Sequence, residues 1–514
     1  MSPAQFVPLR LPSFEGGLNL RDAPTELSLN ESPNLMNVIV DERGGIGKRL
    51  GYIKWNAAAV TNLITREYYS RVADKILHYS VADGKLYSDP GTGVLTLRRT
   101  WTAASQIGMA DFAGKVYANH PVDGLYSSTD GVTWTLVVVT DAGTIPKGDL
   151  LAVWQNKLWV AGDTAAGTRL YFSAAGDATK WAVASGAGFN DLREGRDAEA
   201  PIVALFGATG SDFQTNPSLL AFKRSSTHRV RDSSTGASVV IDAANGAAGA
   251  NAVTTVYGRI YSVSASGCFE TDGQGPLIPI GQKLEPLFAP GAINKTLESG
   301  FCAGTQQGRV FFSICRVNAS ANDLALDYHP LFKAFTTRTD AMACYVAYPK
   351  TSDVLLGASP TVAGQVYSLN SSGSDDGTSI QSWFLGRVVE PLGGLEGRLQ
   401  KVQVRLAGTV NLQTLSDYAT SANSVELSGA QGTGFVWGVS GAWGVSGAWG
   451  DGGSPEGYAI DWPRREGKAF QFRLDETSSL TRGGNLLLEG SYQPTVGAWA
   501  IYGIDGALSQ LALI

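Results

Sequence analysis

Residues 114–134 read GKVYANHPVDGLYSSTDGVTW. The stretch contains a strand signal, a turn, a second strand signal and a polar turn that ends at Trp134. An isolated strand pair of this kind cannot bury both of its faces. The pattern therefore predicts a repeated unit whose neighbours come from the flanking sequence.

The same plan occurs seven times between residues 75 and 370. The copies share an apolar core, a Gly-Lys or Asn-Lys edge, a glycine-bearing turn and a second strand that often reads Leu-Tyr-Ser; they are residues 75–89, 114–128, 156–173, 218–232, 257–273, 308–328 and 352–370. Equivalent apolar positions are 40, 42, 62, 40, 50 and 44 residues apart. A period of ~40–50 residues built from strand pairs predicts an all-β fold, a β-propeller, with seven blades favoured and six or eight left open.

A propeller ring has to close, because an open edge strand leaves backbone groups unpaired. We expect a strand near residues 45–55, in IGKRLGYIKW, to complete the blade that contains Val366 and Leu369. The step of 62 residues predicts an insertion near residues 184–200. The charged run DLREGRDAEA in that segment is interpreted as a solvated loop.

Three regions are predicted along the chain. Residues 1–43 form an extended N-terminal arm interrupted by prolines, which we expect to lie across its own domain or a neighbouring subunit. Residues 44–375 form the propeller. After the polar break SSGSDDGTS, residues 380–514 contain strand signals without the repeated vocabulary, and they predict a C-terminal antiparallel β-sandwich.

Composition agrees with many short strands joined by tight turns: the chain has 62 glycines, 10% aromatic residues and 17% charged residues. A net charge of −6 argues against a protein whose main task is to grip nucleic acid phosphates. The four cysteines have no zinc-site spacing, so we expect reduced, buried thiols and no metal or cofactor. Neither a signal peptide nor a membrane span is predicted.

The segment SSTDGVTW resembles the Asp-box hairpin of sialidase-like propellers, although its residues Ser128, Asp130, Gly131, Thr133 and Trp134 are one position too close. Residues 171–181, YFSAAGDATKW, form a second relaxed version one repeat later. The resemblance implies a fold element on the blade rim. We expect Asp130 and Gly131 to shape the turn and Trp134 to fill the space between blades.

No reaction is predicted, and we expect that the protein is not an enzyme. A glycosidase needs two carboxylates that face each other across a cleft, whereas the candidate carboxylates cluster on one loop without a second partner; they are Asp191, Glu194, Asp197 and Glu199. The four histidines are scattered over different repeats, which favours hydrogen bonding at blade edges over metal ligation; they are His78, His120, His228 and His329.

A tandem duplication, WGVSGAWGVSGAWG, places Trp437, Trp443 and Trp449 six residues apart. In an extended strand an even spacing turns all three rings to one side, ~20 Å apart. Two interpretations stay open. The rings pack on the sandwich or on an adjacent subunit, or they form an exposed aromatic ladder that contacts sugars or a host envelope.

The N-terminal pattern F-x-GGLN-x-RDAP, L-x-x-N-x-SP-x-x-x-NV and D-x-x-GGI-x-KR-x-GY spans residues 14–52. Together with LLAFKRSSTHRV and the order of later segments, it resembles the packaged-DNA stabilisation, or tail hub and nozzle, proteins of short-tailed bacteriophages. The resemblance covers most of the chain. It implies a structural virion protein that forms a sixfold ring below the head–tail adaptor.

That resemblance also implies the partners: copies of the chain itself, the adaptor and other tail proteins, and viral DNA that passes through the lumen without sequence-specific binding. The protein would assemble in the host cytoplasm and reside in the virion tail. We predict subunit contacts at Phe14, Asn19 and Arg21, and at the three tryptophans. The alternatives are a receptor- or glycan-binding tail module and a polysaccharide-cleaving propeller enzyme.

Overall fold

The structure is a computed structural model. It describes residues 7–11, 13–41, 44–195, 197–208, 217–349, 354–390, 397–406, 408–416, 423–429, 457–461, 465–467, 469–476 and 487–494. The chain divides into two compact units. The terminal unit comprises Met1–Gly51, Leu331–Arg338 and Ser372–Ile514, and the propeller unit comprises Tyr52–Pro330 and Thr339–Ser371.

The propeller unit consists of antiparallel sheets that follow one another along the chain, which confirms the predicted fold class. Blade 1 contains Arg66–Ser70, Lys75–Ser80, Lys85–Asp89 and Thr96–Thr100. Blade 2 contains Gly108–Phe112, Lys115–His120, Gly124–Ser128 and Thr135–Leu136. Blade 3 contains Leu150–Trp154, Lys157–Ala161, Arg169–Phe172 and Gly188–Asp191. Blade 4 contains Ala204–Ala208, Ser218–Phe222, Thr227–Val230 and Ser238–Asp242.

Three further blades complete the seven that the repeat predicts. Blade 5 contains Val253–Val256, Arg259–Ser264, Gly267–Thr271 and Ile278–Pro279. Blade 6 contains Cys302–Gln306, Arg309–Ile314 and Leu324–His329. Blade 7 contains Cys344–Tyr348, Val354–Ala358, Val366–Ser372 and Gly51–Lys54.

The repeated Gly-Lys and Asn-Lys edges are explained by the hairpins that join the first and second strands of the blades. Two-residue hairpin turns whose residues both have positive φ twist in the sense that antiparallel strands need. Ala113 and Gly114 have φ values of 47° and 74°, and Gln155 and Asn156 have values of 46° and 56°. The basic residue that follows each turn begins the second strand.

Aromatic side chains fill the spaces between successive blades. Trp134 is 9% exposed and lies in a cluster with Leu77 and Tyr79 of blade 1 and Val116 of blade 2. Trp181 occupies the equivalent place between blades 2 and 3. The predicted role of Trp134 as a plug between blades is therefore confirmed.

Ring closure occurs where the sequence predicts it. Gly51–Lys54 is the outer strand of blade 7 and lies beside Val366–Ser372. Immediately after it, the backbone N–H of Trp55 donates a hydrogen bond of 2.9 Å to the carbonyl oxygen of Val366. The last blade is thus completed by a strand from the N-terminal side of the chain, which closes the ring.

The predicted insertion at residues 184–200 is interrupted by regular structure, because Gly188–Asp191 is the outer strand of blade 3. The additional residues of this step therefore lie both before and after that strand. The helices of the described ranges are short: one α-helix, Glu285–Phe288, and the 3₁₀ segments Val183–Ser185, Gln282–Leu284 and Lys295–Gly300.

The terminal unit contains two larger sheets. One has the strand order Val7–Leu11, Leu487–Pro494, Gly397–Leu406 and Gly457–Asp461, with Arg465–Gly467 also paired to Gly397–Leu406. The other has the order Asn423–Gly429, Gly408–Ser416, Phe470–Glu476, Ser382–Leu385 and Asn34–Met36. Two small pairs, Gly17–Leu18 with Glu31–Ser32 and Val38–Val40 with Ile46–Lys48, belong to the same unit. The segment predicted as an arm thus supplies strands to both sheets.

Candidate functional site

One end of the central channel is the candidate site in the propeller unit. The first strands of the blades surround the axis: that of blade 1 contacts those of both blade 2 and blade 7, so the series closes on itself. All first strands begin at the same end, since each is followed by the same antiparallel meander. We call this end, formed by the residues at and just before the starts of the first strands, the channel mouth.

A hydrogen bond crosses the channel mouth. Asn251 lies just before the first strand of blade 5, and its Nδ2 donates a bond of 2.8 Å to the carbonyl oxygen of Thr65, just before the first strand of blade 1. Blades 6 and 7 lie between those two blades in the ring. The carbonyl oxygen of Asn251 accepts from the N–H of Ala303 in blade 6, which fixes the bridging residue. The mouth is therefore narrow.

Two opposite charges lie in the channel mouth. Burial raises the pKa of Asp149 to about 6, and the guanidinium of Arg66 opposes that rise. Burial also lowers the pKa of Arg66, although Asp149 favours its charged form. A carboxyl group with a raised pKa near a cation is the kind of perturbed group that often marks a functional site.

Several buried polar atoms at this end have no hydrogen-bond partner within the part of the chain that the structure describes. They include Nη1 of Arg66, Oε1 of Gln106 and Oδ1 of Asn119. Asn119 is completely buried, and its Nδ2 donates to the carbonyl oxygen of Pro146 at 3.1 Å. Buried polar groups are paired in most proteins, so unpaired atoms gathered in one place indicate water or a ligand.

A second polar group, which we call the closure cluster, lies between blades 1 and 7. The Nδ1 atom of His78 is 2.8 Å from Oε1 of Glu67, and its Nε2 is 3.9 Å from Oδ2 of Asp89. Asp89 accepts a bond of 2.6 Å from Nε1 of Trp55, which directly follows the closing strand. All three titratable side chains are fully buried. This cluster holds the closing segment against blade 1.

The Asp-box residues shape their turn, as predicted. Oδ1 of Asp130 accepts from the backbone N–H groups of Val132 and Thr133 at 2.8 and 2.9 Å, and the hydroxyl of Ser128 donates to it at 2.9 Å. These bonds lower the pKa of Asp130 to about 2. Gly131 has a φ of 68°. The ionised carboxylate of Asp130 therefore stabilises this exposed turn by accepting hydrogen bonds from it.

The loop carboxylates differ in their surroundings. The hydroxyl of Thr168 and the guanidinium of Arg193 bind Asp191, and the hydrogen bond from Thr168 is the largest cause of its lowered pKa. Glu194 and Glu199 are exposed, as a solvated loop requires.

Asp197 departs from the solvated-loop interpretation. Its Oδ2 accepts a bond of 2.9 Å from the N–H of Ser225, and its carbonyl oxygen accepts one of 3.1 Å from Nζ of the buried Lys223. A buried ammonium needs carbonyl partners, and the loop supplies them. Asp197 therefore anchors the loop to blade 4.

Histidines make hydrogen bonds within the blades, as expected. His120 stacks on Trp101 at 5.9 Å, and its Nδ1 accepts from the N–H of Asp123 at 3.0 Å. Burial lowers the pKa of His228 to about 4, with Lys223 as a smaller cause, so this imidazole is neutral at pH 7. Across the described ranges, no group of three or more His, Cys, Asp or Glu residues could hold a metal ion.

The predicted interface residues have different surroundings. Phe14 is 1% exposed and packs edge-on against Phe384 at 4.9 Å. Asn19 is equally buried and donates to Asp22 and Glu31. Arg21 is exposed. Phe14 and Asn19 therefore have structural roles in their own chain, and a subunit contact at Arg21 stays a prediction.

The three tryptophans of the tandem duplication, Trp437, Trp443 and Trp449, lie outside the described residues, and both interpretations of them stay open.

One residue of the N-terminal motif forms a buried ion pair in the terminal unit. Arg49 is 1% exposed, and its Nη1 and Nη2 donate to the two carboxylate oxygens of Asp375 at 2.8 and 2.6 Å. Sequence alone did not indicate this pairing, because the partners are separated by most of the chain.

The channel-mouth residues were not identified from the sequence. Arg66 begins the first strand of blade 1, and Asp149 and Asn251 lie in the connections just before the first strands of blades 3 and 5, where the repeated vocabulary is absent. An alignment of the repeats could have identified them, because each of these residues lies at or just before the first strand of its blade.

In the described part of the chain, no helix has the length and apolar character of a membrane span.

Comparison with known proteins shows no matching family model and no matching curated protein. The solved structures that are similar to part of this chain include the following three. YCF48 bound to a D1 peptide is 12% identical, with a TM-score of 0.37 and coverage of 63% of this chain and 96% of that one. Streptogramin B lyase is 11% identical, with a TM-score of 0.42 and coverage of 62% and 97%. The extracellular domain of a hybrid two-component system from B. thetaiotaomicron is 8% identical, with a TM-score of 0.43 and coverage of 78% and 56%.

Proposed function

We propose that this protein is a structural component of a bacteriophage tail that forms a homo-oligomeric, sixfold ring below the head–tail adaptor and helps retain and release the genome. The observation that carries the proposal is the N-terminal motif at residues 14–52, which resembles that of tail hub and nozzle proteins. The motif residues Asn19 and Arg49 make buried polar contacts, which suits a rigid wall protein.

The geometry of the channel mouth limits where DNA could pass. A bond between Asn251 and Thr65 crosses the mouth at 2.8 Å, so a DNA duplex does not fit along the axis of a single propeller. In the proposed ring, the conduit is therefore the lumen enclosed by several subunits. A net charge of −6 suits such a lumen, because a basic wall would retain phosphates through counterion release.

The test is assembly with the adaptor. The purified chain is mixed with the head–tail adaptor of the same virus, and native mass spectrometry and electron microscopy measure the stoichiometry. We expect a closed ring of six copies. A chain that stays monomeric with the adaptor present, and binds no other tail protein, contradicts the proposal.

Arg21 offers a surface variant for this test. Arg21→Glu reverses an exposed charge in the motif and should reduce ring assembly without lowering the melting temperature of the isolated chain. Arg71→Glu makes the same change at an exposed position of blade 1 and serves as the matched control. Equal assembly by both variants would exclude a subunit contact at Arg21. Whether the chain forms a ring is decided separately, by the stoichiometry measurement.

A further inference from the structure

The unpaired polar atoms of the channel mouth lie at blades 1, 2 and 3. Arg66 pairs in register with Tyr79, whose hydroxyl donates a bond of 2.6 Å to the carbonyl oxygen of Ser105. Ser105 is the neighbour of Gln106 in the chain. These contacts bring the start of blade 1 next to the segment that leads into blade 2.

The start of blade 3 lies next to the same segment. Gly108 starts the first strand of blade 2 and pairs in register with Asn119. A Cβ atom on Gly108 would lie 3.0 Å from the carbonyl oxygen of Asp149, and Asn119 donates to Pro146. The absence of a side chain at Gly108 therefore lets the start of blade 3, with Asp149, approach the strand position that pairs with Asn119.

We propose that this part of the channel mouth binds a small zwitterion, a molecule that carries one ammonium group and one carboxylate. The donor and acceptor inventory supports this class. The Nδ2 of Asn119 donates to a carbonyl, which fixes the amide so that Oδ1 is an acceptor. Oε1 of Gln106 is a second unpaired acceptor, and the carboxylate of Asp149, which lies near Arg66, supplies a third acceptor.

An ammonium group has three donors and matches those three acceptors. The remaining unpaired atom, Nη1 of Arg66, is a charged donor and matches a carboxylate. A cation alone would leave the guanidinium without a partner, and an anion alone would leave the acceptors without donors. A ligand with both charges satisfies both sides.

The charges predict how binding depends on pH. Asp149 has to be ionised to bind ammonium, and its pKa is about 6 because of burial. Affinity should therefore rise as the pH rises through about 6. Burial raises the pKa of the nearby Cys302 and Cys344 thiols well above neutrality and lowers the pKa of His120, the neighbour of Asn119. Of the other acids nearby, Glu67 faces His78 in the closure cluster, and Asp83 and Asp123 lie near the Tyr79 hydroxyl.

Isothermal titration calorimetry on the full chain tests the proposal. The probes are glycine, β-alanine and 4-aminobutyrate, which vary the distance between the two charges, with methylammonium and acetate as single-charge probes at equal ionic strength. We expect at least one amino acid to bind saturably at pH 7.5, about tenfold or more tighter than either single-charge probe. Its affinity should fall below pH 6.

Variants locate the binding. Asp149→Asn should weaken it by about 10- to 100-fold, the range for one hydrogen bond to a charged group. Asp232→Asn, at an exposed turn of blade 4, is the matched control and should bind as the wild type does. If Asp149→Asn does not fold, the pH dependence of the wild type supplies the same information.

Three results would overturn the proposal. Absence of saturable binding by all three amino acids at millimolar concentrations would mean that the mouth holds buried water only. Acetate or methylammonium binding as tightly as the best amino acid would exclude a zwitterion. Wild-type affinity in a folded Asp149→Asn variant would place the ligand elsewhere.

Discussion

Two tryptophans in equivalent positions between blades allow a matched stability experiment. Trp134 and Trp181 are 9% and 7% exposed. The Nε1 of Trp181 donates to the carbonyl oxygen of Ala178 at 2.7 Å, whereas the buried Nε1 of Trp134 has no partner among the described residues. Replacement by phenylalanine keeps an aromatic ring in both places and removes only one satisfied hydrogen bond.

The expected cost follows from that difference. Loss of ring volume is common to both variants and largely cancels. Trp181→Phe leaves the buried carbonyl of Ala178 unpaired, at a cost of about 1–3 kcal/mol, while Trp134→Phe removes an unpaired donor. Trp181→Phe should therefore lower the free energy of unfolding by about 2 kcal/mol more than Trp134→Phe.

Urea unfolding followed by far-UV circular dichroism measures the free energies. Hydrogen exchange of peptides from blades 1 to 3 assigns the transition to the propeller unit, which matters because the chain has two units. Alanine at either position should cost about 3–5 kcal/mol and provides the upper limit. An equal or larger loss for Trp134→Phe would refute the hydrogen-bond argument.

Further changes test other parts of the structure. Trp55→Phe removes the donor to buried Asp89 and should cost about 1.5–3 kcal/mol, measured by the same urea titration, with Trp134→Phe as the control. Asp130 has a folded pKa of about 2, below its unfolded value, so its contribution to stability is present above about pH 4 and is lost as the pH falls towards 2. Asp130→Asn should therefore flatten the melting temperature between pH 5 and pH 2.5. All four cysteines are buried, so thiol reagents should label them only after denaturation, and fast labelling of the folded chain would contradict this. Replacing the three tryptophans of the tandem duplication with alanine should abolish binding to host glycans if they form an exposed ladder; failure of assembly instead would indicate an interface or a core.

The repeat predicted much of the propeller unit because every blade has the same local structural requirements. Each needs a two-residue turn with positive φ, an apolar strand pair and an aromatic plug, so Gly114, Asn156 and Trp134 carry a readable pattern. The closing strand was also predictable, because an open edge strand leaves backbone hydrogen-bonding groups unpaired in any propeller.

Contacts between distant segments could not be predicted. Arg49 and Asp375 pair across most of the chain, and no local pattern links them. The channel mouth has the same limitation, because Arg66, Asn119 and Asp149 come from different blades and acquire their surroundings only when the ring closes. The charged run was misinterpreted at Asp197 for a related reason: its partner Lys223 lies in the next blade.

The closing strand has a consequence for synthesis on the ribosome. Gly51–Lys54 leaves the ribosome early, while its partner Val366–Ser372 follows about 310 residues later. At ~5–20 residues per second, the first strand waits roughly 15–60 s for its sheet. During that time blades 1 to 6 can stack in order while one strand of the future blade 7 stays unpaired. Its short length and the lysine at its end, Lys54, make it a poor template for pairing with other nascent chains.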